Sequence, residues 1–280
     1  MEIAFSKMHG LGNDFIIIDN RACEIVGHPA DFVKKICDRH FGAGADGLIL
    51  IQDSGKADFK MALFNSDGSE AEMSGNGMRC FARYVYEKMG TKKEIISVET
   101  GAGIIIPAII LKDGKVLAIE VDMGTPKLRR ADIPMVGIAA EKVLDEELTV
   151  EGTKFKASFA NMGNPHCVIF VDDIASIDLD RFGPVLENHS LFPERINVHF
   201  VQVLNDKELT MESWERGVGE TLACGTGASA SVVLANLTGR SGRRVLVHTP
   251  GGNLVIEWNE EDHVILTGPA ETVCSGTYYY

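Results

Sequence analysis

The chain repeats itself once, and this internal repeat limits its possible folds more than any other feature. Residues 58–87 align with residues 208–237 at a shift of 150, and both copies contain the pattern E-x-x-x-(S/C)-G-x-G before an apolar segment. The matched pairs are Met61 and Met211, Phe64 and Trp214, Glu70 and Glu220, Gly75 and Gly225, and Gly77 and Gly227. A second match, at a shift of 151, joins Gly12-Asn13-Asp14-Phe15 to Gly163-Asn164-Pro165-His166. Because the period is about half of the 280 residues, it predicts a duplicated domain and not a solenoid of short repeats.

Apolar patterning predicts an α+β chain with many short strands and three helices. The predicted strands are residues 47–51, 58–64, 115–121, 166–171, 196–203, 208–214, 244–248 and 253–258. The predicted helices are residues 29–40, 75–89 and 226–237, and the third has so little charge that we expect it to be buried on all sides. Turn residues at 122–126 are the predicted boundary between the halves.

Net charge and cysteine spacing argue against several classes of function. The formal net charge of −13 argues against nucleic acid or an anionic membrane surface as a partner, but it says little about the substrate. The six cysteines include no CxxC pair and no zinc-finger spacing, so no metal site is predicted. The N-terminal residues lack the basic and apolar regions of a signal peptide, so we expect a cytoplasmic location and reduced, mostly buried thiols.

The repeated turns place a small nucleophilic residue, Ser74 or Cys224, immediately before each apolar helix. The first N–H groups of a helix lack partners and attract a carboxylate, and they lower the pKa of a nearby thiol. In a pseudo-symmetric pair, the two helix starts are expected to face one cleft with an acid/base group on each side. This arrangement suits inversion at the α-carbon of an amino acid, which removes a proton from one face and delivers another to the opposite face. The alternative is that both turns are ordinary helix N-caps; their matched positions favour the paired site.

Four segments of the sequence together resemble a known protein family. The segments Met8–Phe15, Asn65–Glu70, Gly163–Cys167 and Trp214–Gly227 are similar, in order, to the signatures of diaminopimelate epimerase. That family interconverts LL- and meso-diaminopimelate in lysine biosynthesis, without pyridoxal phosphate or metal. The resemblance implies two similar domains, each a curled, mostly antiparallel, barrel-like sheet around a central helix. They would span residues 1–122 with the C-terminal return 269–280, and residues 123–268, and the family suggests a homodimer.

The resemblance also implies roles for individual residues. Cys224 would be one acid/base group, with residue 74 opposite, and His166 and Glu215 would tune the thiol pKa. The substrate-binding residues implied by the match are Asn13, Asn65, Gly75, Asn76, Asn164, Asn197, Glu215, Arg216, Gly225 and Thr226. Arg216 can bind a carboxylate through two hydrogen bonds, and asparagine side chains both donate and accept.

Two positions differ from the family pattern. The family has cysteine before its first G-N-G, where this chain has Ser74, and some members have glutamine where this chain has Gly47. A hydroxyl is a much weaker acid than a thiol, so Ser74 leaves three interpretations open. The chain is a diaminopimelate epimerase, a related cofactor-free racemase or dehydratase, or a ligand-binding, catalytically impaired form. The Tyr278-Tyr279-Tyr280 tail is expected to be a frayed end.

Overall fold

A computed structural model describes residues 2–22, 25, 29–139 and 141–280, and it divides the chain into two compact units. Unit 1 comprises Met1–Asp122 with Thr267–Tyr280, and unit 2 comprises Met123–Leu266. Cys23 lies outside the described residues. The described cysteines are free thiols, and all except the exposed Cys274 are buried. Within the described ranges, no helix combines the length and apolarity that a membrane span requires.

Unit 1 is a mixed sheet with one helix on each face. Its strands are β1 (Glu2–Gly10), β2 (Asn13–Asp19), β3 (Gly47–Gln52), β4 (Phe59–Asn65), β5 (Glu70–Ala71), β6 (Val98–Thr100), β7 (Gly103–Ile105), β8 (Ala108–Lys112), β9 (Lys115–Asp122) and β19 (Glu271–Tyr279), and its helices are α1 (Ala30–Cys37) and α2 (Gly75–Lys88). The sheet order is β19-β1-β2-β3-β4-β6-β7, with β5 paired to β4, while β8 and β9 pair with each other outside this sheet. Helix α1 packs on β3 and β4, and α2 packs on β1 and β2.

Unit 2 has the same design. Its strands are β10 (Glu146–Val150), β11 (Thr153–Asn161), β12 (Pro165–Val171), β13 (Asn197–Asn205), β14 (Glu208–Glu215), β15 (Gly219–Thr221), β16 (Arg244–Thr249), β17 (Gly252–Trp258) and β18 (Val264–Gly268), and its helices are α3 (Leu179–Glu187), α4 (Gly225–Leu237) and the 3₁₀ turns 130–132 and 174–176. The sheet order is β10-β11-β12-β13-β14-β16-β17-β18, with β15 paired to β14.

The repeat extends to strand pairing. In each unit the second and third strands of the repeat pair in parallel (β2 with β3, β12 with β13), and the third and fourth pair antiparallel. The fourth strand also pairs in parallel with the strand that follows the buried helix (β4 with β6, β14 with β16). Antiparallel pairs predominate, and the sheets are mixed and open. The predicted α+β class, with two sheet-rich units each carrying a central helix, is therefore confirmed.

Burial on both faces explains why the central strands read as continuous apolar runs. In β2, Ile16 and Ile18 join the cluster formed with Phe32 and Ile36 of α1. The alternate side chains of β2 point to the opposite face, where Phe15 lies beside Gly77 of α2. Helix α4 is buried around its whole circumference over residues 227–235, as its apolar sequence predicts.

Three expectations need correction. Helix α1 ends at Cys37, several residues before the predicted end, because Asp38 is extended. Helix α3 is absent from the predicted elements; its interior glycine and proline hide the helical pattern, and Asp178 caps it by accepting from the N–H of Arg181. The C-terminal tail is not frayed, since β19 pairs with β1 from Glu271 to Tyr279 and Tyr278 packs edge-on against Phe32. An antiparallel partner far away in the chain leaves no local signal.

Candidate active site

Ser74 is the N-cap of the buried helix in unit 1. Its backbone is extended, and its Oγ accepts a hydrogen bond of 3.1 Å from the N–H of Gly77. Serine is among the preferred N-cap residues because this bond satisfies an N–H that the helix leaves unpaired. Ser74 is half-buried, and its hydroxyl already caps α2. The N–H groups of Gly75 and Asn76, which come before Gly77 in the chain, lie at the positive end of this helix.

A chain of hydrogen bonds fixes the polar side chains around this helix start. Arg79 Nη2 donates to Asn76 Oδ1 (2.8 Å), and Asn76 Nδ2 donates to Asn13 Oδ1 (3.1 Å). Asn13 Nδ2 donates in turn to Asp46 (2.9 Å), which also accepts from Arg39. The two asparagines predicted to bind substrate are thus brought together, and their amide orientations follow from the charged groups at the two ends of the chain.

Arg79 is a fully buried cation. Its Nε and Nη1 donate to the carbonyls of Pro269 and Gly75, so all three of its described acceptors are neutral oxygens. Burial lowers the pKa of Arg79 to about 10, which leaves the guanidinium charged at neutral pH. Its charge and the helix dipole together make the start of α2 favourable for an anion.

We expect Arg79→Met to lower the free energy of unfolding by about 3 kcal/mol, because three buried oxygens lose their donor. Substrate affinity should fall too, since Asn76 and Asn13 lose their fixed orientation. Denaturant unfolding and KM measure the two effects. Arg83→Met is the control: Arg83, half-buried one turn further along, bonds Glu87 and the carbonyl of Ala270, and its loss should cost about 1 kcal/mol. Equal effects of both substitutions on KM would contradict this role of Arg79.

Cys224 occupies the equivalent position before α4 but does not cap it. Its Sγ lies 3.5 Å from Thr226 Oγ1, and the thiol is buried. Burial, and then the negative charge of Glu215, raise the pKa of Cys224 well above its ordinary value. The expectation that the helix start lowers this pKa toward neutrality is therefore wrong, because desolvation outweighs the helix dipole. The free protein holds a thiol here, not a thiolate.

Beneath Cys224 lies a buried chain of polar side chains. His166 Nε2 is 2.8 Å from Asn164 Oδ1, His166 Nδ1 is 2.9 Å from His199 Nε2, and His199 Nδ1 is 2.9 Å from Ser213 Oγ. Burial lowers the pKa of His199 to about 3, and burial with the charges of His199 and Arg216 holds the pKa of His166 well below its usual value. Both rings are therefore neutral. Since an amide oxygen accepts only, His166 carries its proton on Nε2 and accepts at Nδ1 from His199.

Unit 1 has no such polar chain at the positions that match in the repeat. Phe15, Ile49 and Leu63 stand where unit 2 has His166, His199 and Ser213. Phe15 and Ile49 lie against Gly77 in the first turn of α2, and His199 lies against Gly227 in the first turn of α4. The two helix starts are therefore built on different supports, an apolar one beneath Ser74 and a hydrogen-bonded one beneath Cys224.

The second glycine of each turn can be compared directly. A Cβ on Gly227 would lie 2.2 Å from a ring carbon of His199, whereas one on Gly77 would lie 3.3 Å from its nearest neighbour, Ser74 Cβ. We expect Gly227→Ala to lower the free energy of unfolding by about 3 kcal/mol and Gly77→Ala to change it by at most about 1 kcal/mol. Denaturant unfolding of both variants measures the difference, and equal losses would contradict close packing against His199.

The remaining predicted residues of unit 2 form a second group. Asn197 is buried: its Nδ2 donates to the carbonyl of Pro165 (2.8 Å) and its Oδ1 accepts from the N–H of Arg216 (2.9 Å). Arg216 is half-buried and donates from Nη1 to the carbonyl of Glu194. Glu215 accepts from Thr221 Oγ1 at 2.7 Å. Asn197 thus sets the position of the Arg216 backbone, while the Arg216 guanidinium keeps donors for a carboxylate.

Asn65 and Gly47 pair across two strands of unit 1. Asn65 is the exposed last residue of β4, and its Nδ2 donates to Ser69 Oγ (2.9 Å). No described bond joins it to Asn13 or Asn76. A Cβ at position 47 would lie 2.6 Å from the carbonyl oxygen of Phe64 and 3.2 Å from the Phe15 ring. Glycine therefore lets these strands approach closely, and a glutamine here would require them to move.

Comparison with known proteins decides the family. The profile of the diaminopimelate epimerase family matches residues 5–129 and 158–273. The chain belongs to this family. A diaminopimelate epimerase of Pelotomaculum thermopropionicum is 51% identical over 279 residues, which is 99% of each chain, and one of Moorella thermoacetica is 52% identical over 275 residues, 98% of each.

Solved structures share the fold at much lower identity. A PhzF-family phenazine biosynthesis protein of Bacillus anthracis superposes with a TM-score of 0.72 at 14% identity over the full length of both chains. A hydroxyproline epimerase of Agrobacterium vitis gives 0.71 at 14% identity, covering 99% of this chain and 92% of its own. At this identity the likeness concerns the fold alone.

Sequence reasoning missed three residues of this family member's site. Arg79, His199 and Ser213 complete the hydrogen-bonded chains beside Asn76 and His166. A signal exists for each, because Arg79 is a charge within a buried helical turn and the other two are polar residues at buried positions of apolar strands. The predicted substrate contacts and the role of His166 in tuning a thiol stay predictions.

Proposed function

We propose that this chain converts LL-2,6-diaminopimelate to meso-diaminopimelate in lysine biosynthesis, as an isomerase that works without pyridoxal phosphate. The observation that carries the proposal is the duplicated helix start, with Ser74 before α2 and Cys224 before α4, in a member of the diaminopimelate epimerase family. Each group would act on one face of the α-carbon.

Stabilisation of the carbanion is the main chemical requirement, since removal of the α-proton leaves negative charge that spreads into the carboxylate. The N–H groups of Gly75 and Asn76, and those of Gly225 and Thr226, are our candidates for holding that carboxylate. They are fixed before the reaction, so they need no reorganisation as charge develops. The buried cation Arg79 lies behind the first pair, bonded to the carbonyl of Gly75, and adds to this stabilisation.

The distal end of diaminopimelate carries a second carboxylate and a second ammonium. Arg216 supplies the cation for the carboxylate, and asparagine oxygens supply acceptors for the ammonium. We assign these contacts to Arg216, Asn164, Asn197, Asn13 and Asn65. In the ligand-free chain Asn197 uses its side chain to hold Pro165 and Arg216, so its contribution is to position Arg216.

Proton transfer at Cys224 depends on the groups around it. The free thiol is protonated, so the enzyme needs the thiolate in one direction and the thiol in the other. Glu215 opposes formation of the thiolate through its charge, and the neutral His166 supplies no positive charge that would favour it. We propose that the helix start of α4 and the bound substrate together lower the pKa of Cys224 enough for the thiolate to form.

A ligand-binding form with impaired turnover is the second candidate, and Ser74 favours it. The Ser74 hydroxyl accepts from Gly77, and a hydroxyl lacks the acidity of a thiol. We also propose a cytoplasmic location and a homodimer, which rest on the family resemblance alone.

Solvent-deuterium exchange tests the proposal. The purified chain is incubated in D₂O with LL- or meso-diaminopimelate, and the α-deuterium content and the isomer ratio are followed. Incorporation together with inversion supports the epimerase. Binding by calorimetry without incorporation favours the second candidate, and absence of both binding and exchange contradicts the proposed function.

A further inference from the structure

The buried chain under Cys224 brings together three side chains that bind metal ions. One ring nitrogen of His166, one of His199 and the sulfur of Cys224 lie within 4.8 Å of one another, and all three residues are buried. The ring nitrogens His166 Nδ1 and His199 Nε2 are 2.9 Å apart. Imidazole nitrogen and thiolate sulfur are the donors that Zn²⁺ and similar borderline cations prefer. The cluster therefore has the composition of a three-ligand zinc site.

The groups behind these ligands also match a metal site. A histidine that binds a metal almost always donates its other ring N–H to an oxygen, which fixes the ring and its tautomer. Here the other nitrogen of His166 lies 2.8 Å from Asn164 Oδ1, and the other nitrogen of His199 lies 2.9 Å from Ser213 Oγ. Gly227 gives the His199 ring its room, since a Cβ there would overlap it. Both rings are thus held through one nitrogen, and the other two nitrogens, which share one hydrogen bond, can exchange it for a cation.

Charge around the cluster favours a cation. Glu215 lies beside Cys224, so its carboxylate places a negative charge next to the sulfur. Thiolate and carboxylate together balance a divalent ion, and Arg216 is the cation that acts on His166. At the matching place in unit 1, Phe15 and Ile49 offer no donor atoms, so the site belongs to the Cys224 turn.

We propose that Cys224, His166 and His199 form a binding site for a borderline divalent cation such as Zn²⁺, which occupies the Cys224 sulfur and holds the enzyme inactive. The inhibition rests on the function proposed above, whereas the binding does not. On binding, the thiol proton is released to solvent. The His199 proton moves from Nε2 to Nδ1, and the Nδ1–H then donates a hydrogen bond to Ser213 Oγ. The two ring nitrogens separate from 2.9 Å to about 3.3 Å, the spacing set by two zinc–nitrogen bonds in a tetrahedron. Water takes the fourth position.

Cobalt titration tests the binding without any need for turnover. The full-length protein, stripped with chelator, is titrated with Co²⁺ and then with Zn²⁺. We expect one equivalent of Co²⁺ to give a thiolate-to-cobalt absorption band and the intense visible bands of a four-coordinate ion, which Zn²⁺ then abolishes. His199→Gln keeps a donor toward His166 but removes a metal ligand, so it should weaken binding by at least roughly 100-fold.

Two further variants identify the sulfur that binds the metal. Cys224→Ala should lose the thiolate band even if some cobalt still binds, and Cys274→Ser, which removes an exposed thiol outside the cluster, should leave the titration unchanged. Circular dichroism verifies that each variant is folded. The proposal is overturned if folded wild-type protein gives no thiolate band, or if the band is lost in Cys274→Ser instead of Cys224→Ala.

Inhibition of turnover separates the two proposals. Zn²⁺ should inhibit α-deuterium exchange in competition with diaminopimelate, EDTA should restore it, and His199→Gln should need at least roughly 100-fold more Zn²⁺ relative to its own metal-free rate. A cobalt spectrum in a protein without exchange would remove the proposed function and leave the metal site standing. Exchange that is insensitive to Zn²⁺, in a protein without the cobalt spectrum, would remove the metal site and leave the proposed function standing.

Discussion

Cys224→Ala is expected to lower the rate of epimerisation by about 10³-fold or more. We have proposed this thiol as the acid/base group at the start of α4, and alanine can neither take nor give a proton on that face of the α-carbon. Positioning by the N–H groups of Gly225 and Thr226 is backbone geometry, so substrate binding should change far less than turnover. Steady-state kinetics from both isomers and calorimetry with diaminopimelate measure the two quantities.

Cys167→Ala is the matched control for this experiment. Cys167 is a buried thiol in the same unit, next to His166 in β12, but it points into the cluster under α3. Its loss should lower stability by about 1 kcal/mol without a comparable loss of turnover. If the two variants lose activity equally, or if Cys224→Ala still exchanges the α-hydrogen of both isomers at the original rate, Cys224 is not the acid/base group.

The repeat and its two buried helices can be predicted from sequence because their signals are local. A charge-free segment between Gly225 and Gly239 indicates a helix with no solvent-facing side, and the structure buries it. The turns at 74 and 224 are predictable for the same reason, since an N-cap and its glycines are neighbours in the chain. Duplication gives each signal twice, whereas a single copy would leave the prediction ambiguous.

The supports beneath the turns cannot be predicted in this way, because they join residues that are far apart in the chain. His166 and His199 belong to β12 and β13 and meet through a parallel register that no local pattern specifies. Arg79 reaches Pro269, 190 positions away, and β19 fills beside β1 the place that β10 fills beside β11. The predicted direction of the Cys224 pKa is wrong for a related reason: the helix start is visible in sequence, but the depth of burial and the nearness of Glu215 are not.

Ser74→Cys is expected to raise the rate of epimerisation by about 10²-fold or more. On the proposed mechanism the two faces of the α-carbon are served unequally, because a thiol is a much stronger acid than a hydroxyl and forms its anionic base more readily. Cys224 can remove the α-hydrogen, exchange it with solvent and return deuterium to the same face. The hydroxyl of Ser74 delivers a proton only slowly to the other face.

The isotope pattern follows from this inequality. One stereoisomer, the one whose α-hydrogen points at Cys224, should take up deuterium with retention faster than it inverts, and the other should exchange slowly. In Ser74→Cys the two isomers should exchange at similar rates, with inversion keeping pace. Equal exchange of both isomers in the serine form would show that Ser74 is activated as a base, and unequal exchange that persists in the cysteine form would show that residue 74 is not the second acid/base group.

Stability should move the opposite way to activity in this substitution. Ser74 Oγ accepts from the N–H of Gly77, and a sulfur accepts weakly, so Ser74→Cys removes the cap of α2 and should lower the free energy of unfolding by about 1 kcal/mol. Ser74→Ala loses the same cap without gaining a thiol and is the matched control. A rate gain in Ser74→Cys, with equal destabilisation in both variants, would separate the acid/base role of residue 74 from its role as a cap. The helix start beneath Cys224 already operates without a side-chain cap, with a hydrogen-bonded support below it in place of the apolar one below Ser74.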